Sequence, residues 1–234
     1  MGKLPVGAVA AGKEAAGGLA AQSLRMSGEQ KFKEGDSLAQ TVESNNRAEV
    51  LVFTDKQQCY KTRLSDFEDS KASLLGEYLP QKLGFENDEK LLHVIFPGDY
   101  KGNILFFFEN GKVAKVPLSA YETKTNRKKL TGAYSDKSPL VAAMSLVADD
   151  QVAVYTSDDR CVIFSTAQLL PKTTRSTQGV AIVSLKKKAA VKDAVLASAS
   201  GIVNLSRYRT RTLPSAGAIL KPEDSPEKQI QFEV

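Results

Sequence analysis

The sequence predicts an all-β, β-propeller-like fold made of four-stranded blades about 50 residues long, present as an incomplete set. Three observations carry that expectation. Segments Glu49–Lys61, Asn103–Lys115 and Gln151–Ile163 each run as an apolar strand, a short polar turn and a second apolar strand. Aligning their turns superposes Gln57, Gly111 and Asp159, spaced by 54 and then 48 residues, which is one blade length. Patterns of period 3.6 are nearly absent.

Each element follows from its residues. Asn110-Gly111 predicts a type I′ hairpin turn, because both residues tolerate positive φ. The same alignment puts Cys59, Val113 and Cys161 at one packing position. Ile104–Phe108 and Cys161–Phe164 are apolar at every position, as expected of strands covered on both faces. Only Ser65–Leu75 and Ser138–Leu146 could be briefly helical, and Ser138-Pro139 reads better as a turn into a strand. Leu83–Leu91 is an acidic connector and Tyr121–Lys137 a basic one. The count is roughly three blades with partial units at each end.

The ends read differently from the middle. Residues 1–22 are Gly/Ala-rich and read as a frayed segment or a single partial strand. Ala20-Ala21-Gln22 has a faint likeness to a signal cleavage site, but Lys13 and Glu14 interrupt the apolar stretch before it. The repeat occupies 23–205. From 206 to 234, Pro214, Pro222 and Pro226 punctuate a polar tail.

Composition excludes several classes. Charged residues make up 25% of the chain, as in ordinary soluble proteins, and no apolar run approaches the roughly 20 residues of a membrane-spanning helix. Two cysteines in apolar runs make no disulfide framework and fit a reducing cytoplasm. A lone His93 between Leu92 and Val94 reads as a half-buried strand residue, so neither a zinc site nor a Ser/His/Asp triad is expected. Asp149-Asp150 and Asp158-Asp159 are turn residues, because neighbours in an extended chain point apart. No cofactor, metal or small-molecule substrate is implied, and no membrane partner.

The basic residues point to an anionic partner. Net charge is +5, and its distribution is uneven. Lys124, Arg127, Lys128 and Lys129 lie together without an acid. Lys172, Arg175, Lys186, Lys187 and Lys188 occupy an acid-free stretch, and Arg207, Arg209 and Arg211 alternate with Tyr208 and Thr210. Lys112 and Lys115 sit on the strand that precedes the first of these clusters. Any one cluster by itself reads better as a solvated loop; repetition at blade spacing shifts the balance towards a rim that neutralises the phosphates of double-stranded DNA. No recognition helix for base readout is visible. The other reading is a propeller-like scaffold for an acidic protein, since fold alone does not fix function.

Several runs resemble a known family. Gly102–Tyr121 continuing through Glu122–Leu130, together with Val52–Asp55, Lys71–Gly76, Lys172–Val180 and the ending Tyr208–Gly217, is similar to the C-terminal β-pinwheel domain of bacterial type IIA topoisomerase A subunits, those of DNA gyrase and topoisomerase IV. The likeness covers about Ser23 to Asp224. It implies blades that exchange strands and a basic perimeter that binds and bends DNA. It also implies a cytoplasmic, nucleoid-associated A2B2 enzyme, in which the ATPase B subunit joins the rest of the A subunit. The Gln-Arg-Arg-Gly-Gly-Lys-Gly box of gyrase is not found, so a topoisomerase IV-like role fits at least as well as gyrase-type wrapping. Arg207-Tyr208 superficially matches the Arg-Tyr pair of the cleavage site, but its Pro-flanked setting lacks the surroundings that family uses; no catalytic residue is expected.

Overall fold

The computed structural model describes residues 6–10, 18–22, 38–43, 48–67, 77–123 and 127–225. Strands dominate. They are β1 (Val6–Ala10), β2 (Gly18–Gln22), β3 (Leu38–Glu43), β4 (Glu49–Thr54), β5 (Gln58–Arg63), β6 (Glu77–Tyr78), β7 (Leu91–Ile95) and β8 (Asn103–Phe108). There follow β9 (Lys112–Pro117), β10 (Lys129–Thr131), β11 (Leu140–Leu146), β12 (Gln151–Thr156), β13 (Arg160–Ser165), β14 (Val180–Ala181), β15 (Val191–Leu196) and β16 (Ala218–Ile219). Among the described residues the single α-helix is α1 (Leu79–Leu83), opened by Pro80 in its first turn and stopped by Gly84 at φ 66°.

The strands form four four-stranded antiparallel sheets, ordered β3-β1-β2-β6, β10-β5-β4-β7, β11-β8-β9-β14 and β15-β12-β13-β16, here sheets 1 to 4. One rule assembles them. Two strands make a hairpin, a third pairs with the hairpin's first strand, and the fourth pairs with its second strand. In sheets 1 to 3 that fourth strand arrives only after the chain has made the next hairpin, so consecutive sheets exchange strands. In sheet 4 no hairpin intervenes; residues 197–217 lead directly to β16. The N-terminal segment read as frayed or as one partial strand contains the β1–β2 hairpin.

The chain divides into two compact units, Met1–Asp99 with Thr125–Ala133, and Tyr100–Lys124 with Tyr134–Val234. The first holds sheets 1 and 2, the second sheets 3 and 4. In the first, Val50, Val52 and Tyr60 of sheet 2 pack with Leu64, Phe67 and Leu79. In the second, Leu105, Phe107 and Val113 of sheet 3 meet Val152, Val154, Val162 and Phe164 of sheet 4. The other face of β8 is buried too: Phe106 stacks on Tyr134 at 5.6 Å between ring centroids. The unbroken apolar runs are therefore strands covered on both sides, as the sequence predicts.

The far face of sheet 4 (Ala153, Tyr155, Cys161 and Ile163) is covered by Ala197, Ile202, Tyr208, Leu205 and Leu220. The stretch from 206 that reads as a polar tail is thus packed into a core as far as Asp224. Polar composition misleads there because a few apolar side chains suffice to seal one sheet face, leaving the rest of the segment in water.

The three aligned turn residues share one conformation: φ is 54° at Gln57, 79° at Gly111 and 55° at Asp159. Asn110 keeps a negative φ, and the Gly111 amide donates to the Phe108 carbonyl at 3.1 Å. Each tip is therefore a three-residue loop, a turn followed by one left-handed residue, and not the type I′ turn expected from Asn110-Gly111. That residue also bonds the chain beside the fourth strand. The carbonyls of Gln57, Gly111 and Asp159 accept from the amides of Ala133 (2.9 Å), Ile182 (2.9 Å) and Leu220 (2.8 Å). Cys59, Val113 and Cys161 face Phe53, Phe107 and Tyr155 in equivalent pairs and are all buried. Burial pushes the Cys161 thiol up to about 12.

Candidate nucleic-acid interface

The fourth strands are too short to cover the outer edges of β5, β9 and β13, and the backbone groups left over there need partners. The segments leading into β10, β14 and β16 supply them at one register position. Lys61, Lys115 and Ile163 stand opposite Leu51, Leu105 and Ala153 in their hairpins. The Lys61 amide donates to the Lys128 carbonyl, the Lys172 amide to the Lys115 carbonyl and the Ile163 amide to the Tyr208 carbonyl, each at 2.8 Å; the Thr210 amide returns a 2.8 Å bond to Ile163. Lys128 and Lys172 are thereby bonded to one register position in sheets 2 and 3, the first by its carbonyl and the second by its amide, and in sheet 4 Arg209 lies between the two residues bonded there; all three are exposed. Each of the three sheets thus has an exposed cation beside that position.

A second basic feature lies at the tip of sheet 4. Lys186, Lys187 and Lys188 form a tight turn, closed by the Ala189 amide donating to the Lys186 carbonyl at 3.0 Å, with Lys188 at φ 69°. The turn is clamped to the β12–β13 tip. The Ser157 amide donates to the Ala190 carbonyl at 2.8 Å and the Ala190 amide to the Ser157 hydroxyl at 3.0 Å. With Ser157, Asp158, Asp159 and Arg160, the lysines line a concavity of about 360 Å³. Asp158 sits 3.3 Å from Arg160 and 4.0 Å from Lys186, and a hydrogen bond from Thr156 holds its carboxyl below the usual range. Lys187 and Lys188 make no ion pair among the described residues.

The other sequence-predicted residues divide by exposure. Arg127, Arg207 and Arg211 are exposed, with the Arg207 guanidinium 5.9 Å from the centre of the Tyr208 ring. Lys112 donates to Gln178 Oε1 at 3.2 Å. Arg209 Nε donates to Gln151 Oε1 at 2.9 Å. Arg175 is half-buried, donating to the Ala120 carbonyl at 3.1 Å and lying over Tyr121. Lys129 is half-buried and committed to Glu86 at 2.6 Å, which holds its ammonium above the usual value. Lys124 lies outside the described residues.

Lys115 does not belong on an outer surface. Its side chain is 5% exposed, and its ammonium lies 2.6 Å from Asp149 Oδ1 and 3.0 Å from the Thr166 carbonyl. The cause is its strand: Val113, Ala114 and Val116 are buried as well, so β9 is enclosed on both faces. The signal was present in that apolar run, outweighed by the charge of the lysine itself.

Comparison with known proteins agrees with this architecture. No family model matches the chain. In sequence it is 26% identical over 158 residues to the A subunit of DNA topoisomerase 4 from Staphylococcus aureus, covering 66% of this chain and 20% of that protein. A solved C-terminal domain of DNA topoisomerase IV superposes with a TM-score of 0.76 at 20% identity, over 94% of this chain and 73% of that one. The fold is that of the C-terminal domains of topoisomerase A subunits. A DNA gyrase A C-terminal domain superposes with a TM-score of 0.59 at 13% identity, over 94% and 80%. The chain spans about a fifth of the length of the curated relative it matches in sequence.

Within this topoisomerase C-terminal fold, Tyr208 is a structural residue. It is 2% exposed, its hydroxyl donates to Asp224 Oδ2 at 2.7 Å, and burial together with that carboxylate raises its pKa. A phenol so placed neither reaches a phosphodiester nor ionises readily. The adjacent aspartates are likewise engaged: Asp149 with Lys115 and Thr166, Asp150 with the Gln151 amide. No group of three or more metal-ligating side chains occurs among the described residues, and no described helix is long and apolar enough to cross a membrane.

Proposed function

We propose that this chain binds duplex DNA through its phosphates, as a non-catalytic C-terminal domain of a type II topoisomerase A subunit. In that role it supports the ATP-dependent changes of DNA topology made by an A2B2 enzyme. The observation that carries the reading is the recurrence of Lys128, Lys172 and Arg209 beside one register position of sheets 2, 3 and 4, each exposed. Phosphates recur along DNA, and cations recurring at one position of successive sheets suit a regular polyanion better than a single compact ligand. Bending a 20–30 base-pair site costs on the order of 1–6 kcal/mol, which several such contacts offset. The partners that go with this reading are duplex DNA, the ATPase B subunit, and the remainder of the A subunit, in the nucleoid.

The test is duplex affinity as a function of salt. Fluorescence anisotropy with a random-sequence 30-mer between 50 and 200 mM NaCl should give a linear log–log plot with a slope of roughly −0.9 per phosphate neutralised. Sequence should matter little, because the one α-helix among the described residues has only five residues, too short for a recognition helix in the major groove. Absence of binding at 50 mM would leave the scaffold reading in its place.

A further inference from the structure

The lysine turn of sheet 4 has a counterpart in sheet 2 with the same backbone and opposite charge. There the turn is Glu86-Asn87-Asp88-Glu89. The Glu89 amide donates to the Glu86 carbonyl at 3.1 Å, matching Ala189 to Lys186 at 3.0 Å. Asp88 has φ 64° where Lys188 has 69°. The Asp55 amide donates to the Lys90 carbonyl at 3.0 Å and the Lys90 amide to Asp55 Oδ1 at 2.8 Å, which repeats the Ser157–Ala190 clamp bond for bond. Glu86, Asn87 and Asp88 are exposed, as are Lys186, Lys187 and Lys188. Sheet 3 has a neutral version of the clamp, with the Asn110 amide donating to the Ser138 hydroxyl at 3.1 Å and the Glu109 amide to the Pro139 carbonyl at 3.0 Å.

Glu86 and Glu89 have structural partners, Glu86 in Lys129 and Gln58 and the buried Glu89 in Thr54 and Tyr60, but a turn held in one geometry by the same three bonds has little reason to change charge at 87 and 88 for folding's sake. Left-handed Lys and Asp are both tolerated, and the side chains of Asn87, Asp88, Lys187 and Lys188 reach solvent. What differs is the potential each presents to an approaching phosphate. Like charges brought together across an interface select against the wrong arrangement as effectively as opposite charges select the right one.

We propose that the Lys186–Lys188 turn of sheet 4 grips DNA phosphates, while the matching Glu86–Glu89 turn of sheet 2 repels them. Of these two matching turns, only that of sheet 4 then takes up the duplex. This rests on the DNA-binding reading above and adds to it the part of the surface that is used and the part that is barred. Lys187 and Lys188 are the contacting residues, with Lys186 shared with Asp158. Asn87 and Asp88 are the corresponding excluding positions, because Glu86 and Glu89 are occupied: Glu86 by Lys129 and Gln58, Glu89 by Thr54 and Tyr60.

The test transplants one turn onto the other in the full chain. Asn87→Lys with Asp88→Lys gives sheet 2 the two free lysines of sheet 4 at exposed positions, with Lys in the left-handed geometry it already adopts at 188. Lys187→Asn with Lys188→Asp is the reciprocal change. Circular dichroism and urea midpoints first establish that both variants fold as the parent does. Duplex affinity is then read from 150 mM NaCl upward, where the Debye length of about 8 Å mutes distant charges. The transplant should steepen the log–log slope by about 1.8, two phosphates at about 0.9 each, and the reciprocal variant should flatten it by a similar amount. A transplant that leaves the slope unchanged overturns the exclusion; if the reciprocal variant still flattens it, DNA binding stands and only this inference is lost. If the parent shows no salt-dependent binding, both fall together.

Discussion

The Tyr208 hydroxyl donates to Asp224 at 2.7 Å with both side chains nearly sealed from water, at 2% and 1% exposure. Asp224 also accepts from the Val203 amide at 2.9 Å, and the Tyr208 hydroxyl accepts from the Lys221 amide at 3.1 Å. One buried hydrogen-bonded pair thus ties together the segment that covers the last sheet. Tyr208→Phe removes the donor and leaves a buried carboxylate oxygen without it, at an expected cost of about 1–3 kcal/mol. The check is the urea midpoint, which should fall with an unchanged m-value. DNA affinity should stay as it was, since the hydroxyl faces inward.

Lys115 separates structural charge from binding charge. Lys115→Ala removes a charged hydrogen bond and a buried stem, and stability should fall by about 1.5–3 kcal/mol. The salt dependence of DNA binding should not move, in contrast to Lys172→Ala, which should flatten it by about one phosphate. Urea unfolding and anisotropy on the same two variants decide the matter.

Acid should weaken the second unit through Asp149 and Asp158. Their carboxyls are held below the ordinary range, Asp149 chiefly by the hydrogen bond from Lys115 and Asp158 chiefly by that from Thr156. Folding therefore favours the ionised forms. The stabilisation is complete above the unfolded value near pH 4 and is lost as pH falls through the lower folded values. Thermal midpoints should be flat from pH 7 to 5 and drop below about 4. Asp149→Asn should start lower and show a shallower acid dependence than the parent.

Strand exchange demands glycine where two backbones meet. Gly179, at φ 72°, would place a Cβ 2.0 Å from the Val113 carbonyl oxygen, so Gly179→Ala forces β14 off β9. Gly132 has a similar φ of 59° but nothing within 4 Å of its Cβ position. Gly132→Ala should cost only the left-handed penalty of about 1–2 kcal/mol. A clearly larger loss is expected at 179, measured by urea denaturation of the two variants side by side.

Much of this fold is legible in the sequence, for a physical reason. The hairpin strands of sheets 2 to 4, six residues each and covered on both faces, leave unbroken apolar runs such as Ile104–Phe108, and a left-handed tip residue fixes their spacing. The fourth strands leave almost no trace. Val180–Ala181 and Ala218–Ile219 are two residues each, too short to show alternation, and they are defined by a partner elsewhere in the chain. For the same reason Lys128, Lys172 and Arg209 could be seen as basic but not as neighbours of one register position: that placement exists only in the backbone pairing with Lys61, Lys115 and Ile163. Lys115 turns inward against the usual exposure of lysine because its strand is enclosed on both faces.

The most direct measurement is lysine reactivity with and without DNA. Reductive methylation of the chain, read by mass spectrometry, should lose labelling at Lys128, Lys172, Lys187 and Lys188 when a saturating 30-mer duplex is present at 50 mM salt, while Lys115 stays unreactive in both states. Labelling at those four lysines that is indifferent to bound duplex would contradict the account at its centre.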